Sequence, residues 1–188
     1  MGTSDGNGWV ACRCGRRHWG LFGAAGVLLV RLAPADGDGD VQVGPGAGGD
    51  GTGDAAQVEV LLQQRAPWVH EGGSWGVPGG AADSHEDAVA AALREADEEA
   101  GIGPLDVDVV DVLVSADHGD WRYDLVLAAA LPSARPRVAN EESDAIAWVR
   151  LDDVPTLRLH PGFAIHWPAV RATLDAYEPH TWRRDGPS

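Results

Sequence analysis

Apolar positions along the chain fall into blocks of two periodicities. Phe22 to Leu32 is a nearly unbroken run of small and branched apolar residues, the pattern of a central strand buried on both faces. Gln57 to Arg65 alternates and predicts a strand that pairs with it. Leu105 to Ser115 and Trp121 to Leu131 alternate about the polar turn Asp117-His118-Gly119-Asp120, which predicts a hairpin. Ala145 to Val149 predicts one more short strand. Helical spacing appears twice. Val89, Leu93, Ala96 and Ala100 fall at i, i+4, i+7 and i+11 and define one apolar face. Phe163 to Tyr177 predicts a final helix. Strands gathered around one helix, with a second helix at the end, predict an α/β/α sandwich.

Punctuation between the blocks sets their limits. Ser84 is a good N-cap for the first helix, and Asp87 three residues on makes a capping-box-like start. Gly101 and Gly103-Pro104 stop that helix. Residues 1–8 and 179–188 are polar and read as flexible tails. Residues 34–56 are dominated by Gly and Asp without apolar periodicity and read as a mobile loop. There is no internal repeat, and the whole of 1–188 reads as one domain.

Chemistry concentrates on the first helix. Glu95, Glu98 and Glu99 fall at i, i+3 and i+4, within roughly 100° of arc, beside the apolar stripe. Like charges at that spacing repel by a few tenths of a kcal/mol. A hard divalent cation removes the conflict, because magnesium binds through carboxylates, waters and phosphate oxygens. The bland alternative is an acidic solvated face on an acidic protein.

The surrounding spacing weighs against the bland reading. From Gly80 to Ile102 the chain runs Gly, five residues, Glu86, seven residues, Arg94-Glu95, the apolar Ala96, Asp97, Glu98-Glu99, Ala100, Gly101, Ile102. This resembles a complete Nudix box, with Trp75-Gly76-Val77-Pro78-Gly79-Gly80 leading into it as in that family. The resemblance implies a Nudix α/β/α sandwich with a mixed central sheet. It implies a hydrolase cleaving a nucleoside diphosphate linked to another group, with Mg2+ or Mn2+ as cofactor. Metal ligands implied by the resemblance are Glu95, Glu98, Glu99, the main-chain carbonyl of Gly79, and a further Glu before a late strand. Glu142 is the preferred match for that acid and Glu141 the alternative; a solvated acidic loop is the competing reading. Arg94 is expected to orient the glutamates by pairing with Glu86 or Glu98. One of the glutamates would accept a proton from water, and families differ in which.

The substrate lies outside the box. Arg17, Trp19 and Trp75 are candidate substrate contacts, since arginine suits phosphates and tryptophan stacks on bases. Ordinary surface and core packing is the alternative for all three. A nucleoside triphosphate, as for MutT-like members, is the favoured substrate because no added substrate domain is apparent. The rival class is a nucleotide-sensing module without turnover, but this chain keeps every metal carboxylate. An isomerase of the isopentenyl type would need an active-site cysteine, and the two cysteines precede the first long strand.

Composition narrows the partners. Formal charge is −15, from 29 acids against 14 bases, and every base is Arg. Nucleic-acid binding needs a basic footprint, so no nucleic acid is expected, while metal ions still allow phosphates to bind. No apolar run is long enough to span a membrane. Cys12 and Cys14 are too close for an easy disulfide, which suits a cytoplasmic setting. With His18 they fall short of the four ligands of structural zinc, and zinc is not expected. The oligomeric state is left open, a homodimer included.

Overall fold

The computed structural model describes residues 4–33 and 57–183. The stretch 34–56, read above as a mobile loop, lies outside the described residues. The elements in order are β1 (Trp9–Ala11), β2 (Arg17–Trp19), β3 (Ala24–Leu32), β4 (Val58–Arg65), β5 (Trp75–Gly76), β6 (Gly79–Ala81), α1 (Ala88–Ala100), β7 (Val107–Asp117), β8 (Arg122–Ala130), β9 (Ser143–Arg150) and α2 (Pro161–Asp175). Strands β1 and β2 form a small sheet of their own, and the other seven form one mixed sheet.

Strand β3 is the spine of that sheet. Its residues 24–30 run parallel to 123–129 of β8. On its other side it pairs antiparallel with β6 over Ala24–Gly26 and with β4 over Val30–Leu32. The expected β3–β4 pairing is therefore present but short. The long partner of β4 is β9, through Glu59 to Arg65, and β7 and β8 form the expected antiparallel hairpin. The expected central strand begins at Ala24 rather than Phe22. Gly23 turns the chain with φ +95, and a Cβ there would lie 2.9 Å from the Arg122 carbonyl oxygen.

Two helices cover the two faces. Period-two alternation sends Ala25, Val27 and Leu29 of β3, Leu61 of β4 and Val126 and Ala128 of β8 to one core with Ala91, Ala92, Ala96 and Ala100 of α1. Leu28, Val30, Val60, Leu62, Leu125 and Leu127 go to the opposite core with Trp167, Val170 and Leu174 of α2. A continuous apolar run thus serves both sides. Burying alanines on α1 brings that helix close to the sheet, which matters for the site below.

The helix boundaries differ from expectation at their N-termini. Asp87, not Ser84, caps α1: its side chain accepts from the Ala90 N–H at 2.8 Å. Ser84 instead donates its hydroxyl to Asp5 at 2.6 Å, while its backbone N–H also bonds Asp5. Gly101 ends α1 at φ +65, with Ile102 N–H bonding the Ala96 carbonyl and Gly101 N–H that of Asp97. Helix α2 starts at Pro161, where a missing N–H costs nothing, and His160 Nδ1 caps it by accepting from Gly162 N–H at 3.1 Å. Among the described residues no helix is long and apolar enough to cross a membrane.

Near both ends of the chain the described residues make specific contacts. Ser4 hydroxyl and Gly6 N–H each donate to Asp83 Oδ1 at 2.8 Å, and Leu21 N–H bonds the Gly6 carbonyl. At the other end a short 3-10 turn, Pro179–Trp182, inserts Trp182 into the α2-side core, where it is 2% exposed. Trp182→Ala is expected to lower the unfolding free energy by about 3–5 kcal/mol in urea titration. A tail that merely rests on the surface would leave the midpoint unmoved.

Candidate active site

Strand β6 and helix α1 meet at two glycines. A Cβ on Gly79 would lie 2.5 Å from the Ala25 carbonyl oxygen and from Gly26 Cα, so only glycine lets β6 sit flush on β3. A Cβ on Gly80 would meet the Glu95 carboxyl carbon at 2.5 Å. Opposite, the Gly79 N–H donates to Glu99 Oε2 at 2.8 Å. The glycine pair therefore lets two carboxylates of α1 press against main chain.

Their exposures are graded. Glu99 is 4% exposed, the side chain of Glu95 is 16% exposed and that of Glu98 58%. Burial pushes the Glu99 carboxyl up to about 7, although the Gly79 N–H and the Gln63 amide favour its charged form; the charge of Glu95 adds to the rise. Burial also raises Glu95, against the pull of Arg94, and the charges of Glu98 and Glu142 add to it.

Arg94 fixes the outer part of the cluster. It grips Glu86 with two bonds, Nε to Oε1 at 2.8 Å and Nη2 to Oε2 at 3.0 Å. It also reaches Glu95 Oε1 at 2.8 Å and the Ala81 carbonyl at 2.8 Å. Its approach to Glu98 is longer, 3.7 Å. The expected pairing with Glu86 is present, and Glu95 is the second partner. Held this way, Glu86 is pulled below the usual carboxylate range by Arg94.

The loop before β9 closes the other side. The Glu99 carbonyl accepts from Ala139 N–H at 3.1 Å and from the Ser143 hydroxyl at 3.4 Å. The Glu142 carbonyl accepts from Ala66 N–H, and its N–H bonds Asn140 Oδ1 at 3.0 Å. This anchors the loop at the end of α1, with the Glu142 charge near enough to act on Glu95. Glu141 is exposed beside it.

Three residues around the cluster carried no weight in the sequence reading. Gln63, 2% exposed, bonds the Ser143 hydroxyl at 2.7 Å and lies beside Glu99. Its signal was present: period two places it on the same face as Leu61, towards α1. Tyr123 brings its hydroxyl to within 3.0 Å of where a Gly79 Cβ would stand, and burial raises its pKa. Nothing local distinguishes Ser143 or Tyr123 from ordinary strand residues.

The candidate substrate contacts separate. Trp75 is 6% exposed and belongs to the α2-side core, its backbone bonded to Arg158 and His160. A ring so enclosed packs in that core, the alternative given above for it. Arg17 and Trp19 stand on the β1–β2 hairpin: Arg17 lies 5.2 Å over the Trp9 ring, and Trp19 meets Trp9 edge-on at 5.4 Å. Trp9 in turn faces His70 at 6.1 Å. These side chains form an exposed aromatic and cationic patch rather than part of the glutamate cluster.

The donor set suits a hard cation. Glu95, Glu98 and Glu99 line one flank of α1 next to β6, the first and last of them raised chiefly by burial, and Arg94 serves Glu86 and Glu95.

A NUDIX domain family model matches residues 51–172. The chain is 41% identical over 172 residues to a Mycobacterium tuberculosis protein named "Putative 8-oxo-dGTP diphosphatase 3", covering 89% of this chain and 70% of that one. It is also 41% identical to a nucleoside triphosphate pyrophosphatase/Nudix hydrolase fusion protein of Bifidobacterium longum, over 90% of this chain but only 32% of the fusion. The crystal structure of the Mycobacterium smegmatis Nudix hydrolase RenU superposes with a TM-score of 0.76 at 38% identity, covering 92% of this chain and 98% of that one. This chain belongs to the Nudix hydrolases.

Arg94→Ala leaves Glu86 and Glu95 facing one another with no cation. It is expected to cost about 3 kcal/mol of stability, read by chemical denaturation, with Arg94→Lys recovering only part because an ammonium lacks the fork.

Proposed function

We propose that this chain hydrolyses a nucleoside diphosphate linked to another group, water attacking phosphorus with Mg2+ or Mn2+ bound. The observation that carries the reading is that Glu95 and Glu99 both lie against the Gly79-Gly80 strand with their carboxyls raised by burial, and that Glu99 has no guanidinium partner among the described residues. Bound cations supply charge neutralisation of the phosphates and activation of water. Glu95, Glu98, Glu99 and the Gly79 carbonyl hold them, with Glu142 completing the set from the β9 loop. Arg94 positions Glu95 and takes no part in the chemistry itself. One of the four glutamates receives the proton of the attacking water.

A nucleoside triphosphate is the favoured substrate, and an oxidised purine form is supported by the printed name of the M. tuberculosis relative. Arg17 and Trp19 would contact it from the hairpin, Arg17 through phosphate and Trp19 through the base. The second reading is a nucleotide sensor. The NUDIX domain of Shewanella oneidensis NrtR, solved with ADP ribose, has this fold at a TM-score of 0.52 and 20% identity, which speaks to fold alone. Retention of all the carboxylates favours turnover.

A phosphate-release screen over nucleoside triphosphates, their 8-oxo forms and nucleoside diphosphate esters is expected to find magnesium-dependent hydrolysis. Glu99→Gln should lower kcat by about 10²–10³-fold while circular dichroism stays native. Release from no compound would favour the sensor. In the same protein, millimolar Mg2+ or Mn2+ should raise the Tm, since the ion binds the folded state alone. Glu99→Gln should blunt that rise; an equal rise in the variant would place the cation elsewhere.

A further inference from the structure

The N-terminal hairpin carries a second donor set, chemically unlike the first. In the β1–β2 register Val10 stands opposite His18, so Cys12, two residues on, shares the face of His18. The turn between the strands is closed by Gly15 N–H on the Cys12 carbonyl and Cys12 N–H on the Arg16 carbonyl, each at 3.0 Å, with Gly15 at φ +82. That turn swings Cys14 back over the same face. Its sulfur comes to 3.1 Å from His18 Nε2. One ligand atom from each of Cys12, Cys14 and His18 lies within 4.8 Å of the others. The Cys14 N–H is also directed at Cys12 Sγ, 3.5 Å away.

We propose that Cys12, Cys14 and His18 bind a zinc ion, with water as fourth ligand. Zinc–sulfur and zinc–nitrogen bonds of about 2.3 and 2.1 Å in a tetrahedron separate ligand atoms by roughly 3.6–3.8 Å. The three donors already approach that size, so side-chain adjustment alone seats the ion. Two thiolates and an imidazole select a borderline-soft cation and reject magnesium. Cys12 is buried and Cys14 exposed, which opens the fourth vertex to solvent. Both thiols give up their protons on binding, so affinity rises with pH.

The ion would brace a structure that needs bracing. Strands of three residues make a marginal hairpin. This one is held against the β7–β8 turn by His18 stacking on His118 at 4.7 Å and on Trp121 at 4.4 Å, by the Arg13–Asp120 pair, and by Trp121 Nε1 donating to the Trp19 carbonyl at 2.9 Å. Zinc at its tip fixes the strand that presents Arg17 and Trp19. The sequence reading counted too few ligands for structural zinc. Three protein ligands and water satisfy the same coordination number.

Cobalt titration of the reduced, metal-free protein separates this site from the carboxylates, because only thiolate ligands give a sulfur-to-cobalt charge-transfer band in the near ultraviolet. The expected result is one such band per chain, displaced by zinc, absent in Cys14→Ser and unchanged in Glu99→Gln. His18→Ala should weaken zinc binding by at least the ~10–100-fold that even a supporting residue costs. Cys14 is exposed, so its serine variant keeps the fold, checked by far-ultraviolet circular dichroism. A reduced wild-type protein with no thiolate band overturns the proposal, as does a band that survives in Cys14→Ser or vanishes in Glu99→Gln.

Discussion

Glu99 is a carboxylate taken almost wholly out of water and laid against the Gly79 N–H, and much of the molecule is arranged to tolerate it. Desolvating a carboxylate is costly unless donors replace the lost water. The Gly79 N–H and the Gln63 amide do part of this, and Gln63 is itself oriented by Ser143 from β9. The approach requires glycine at 79 and 80 and a helix face of alanines that lets α1 come near the sheet. A larger side chain at any of these positions would push the carboxylates off the strand. Burial leaves the Glu95 and Glu99 carboxyls raised, and the cation proposed above would relieve that cost.

Arg94 shows how charge is rationed in a chain of net charge −15. Its guanidinium satisfies Glu86, Glu95 and the Ala81 carbonyl at once, a task suited to five donors in a rigid fork. It turns no bond of comparable length to Glu98 and is not paired with Glu99. Glu95 is thereby placed by a cation, while Glu99 is placed by the Gly79 N–H instead. A scaffold that both positions and withholds is what a reversible metal site needs. The hairpin repeats the logic with softer donors: there a glycine turn brings sulfur and nitrogen together, and the choice of ligand separates one cation from another.

The box helix was legible because its information is local. Alanine-rich helix propensity, the apolar stripe at Val89, Leu93, Ala96 and Ala100, and the stop at Gly101 depend only on neighbours along the chain. So did the hairpin of β7 and β8, whereas the resemblance left Arg94 a choice of Glu86 or Glu98, which the structure resolves in favour of Glu86 with Glu95 beside it. The capping residue was misplaced by three positions because Ser84 has a distant competitor, Asp5, which claims its hydroxyl and leaves Asp87 to bond Ala90. Trp75 and Trp182 look like exposed or tail aromatics in the sequence, yet both fill the core on the α2 side.

The sequence by itself determined the two-layered helix cover, the identity of the three helix carboxylates and their angular spread. These follow from the 3.6-residue and two-residue periods of the chain. Only the tertiary structure decided which carboxylate is desolvated, that β9 and not β3 runs the length of β4, that Gln63 and Ser143 stand beneath Glu99, and that Cys12, Cys14 and His18 share one face. Burial and long-range pairing depend on which distant segments arrive, and no local period encodes that.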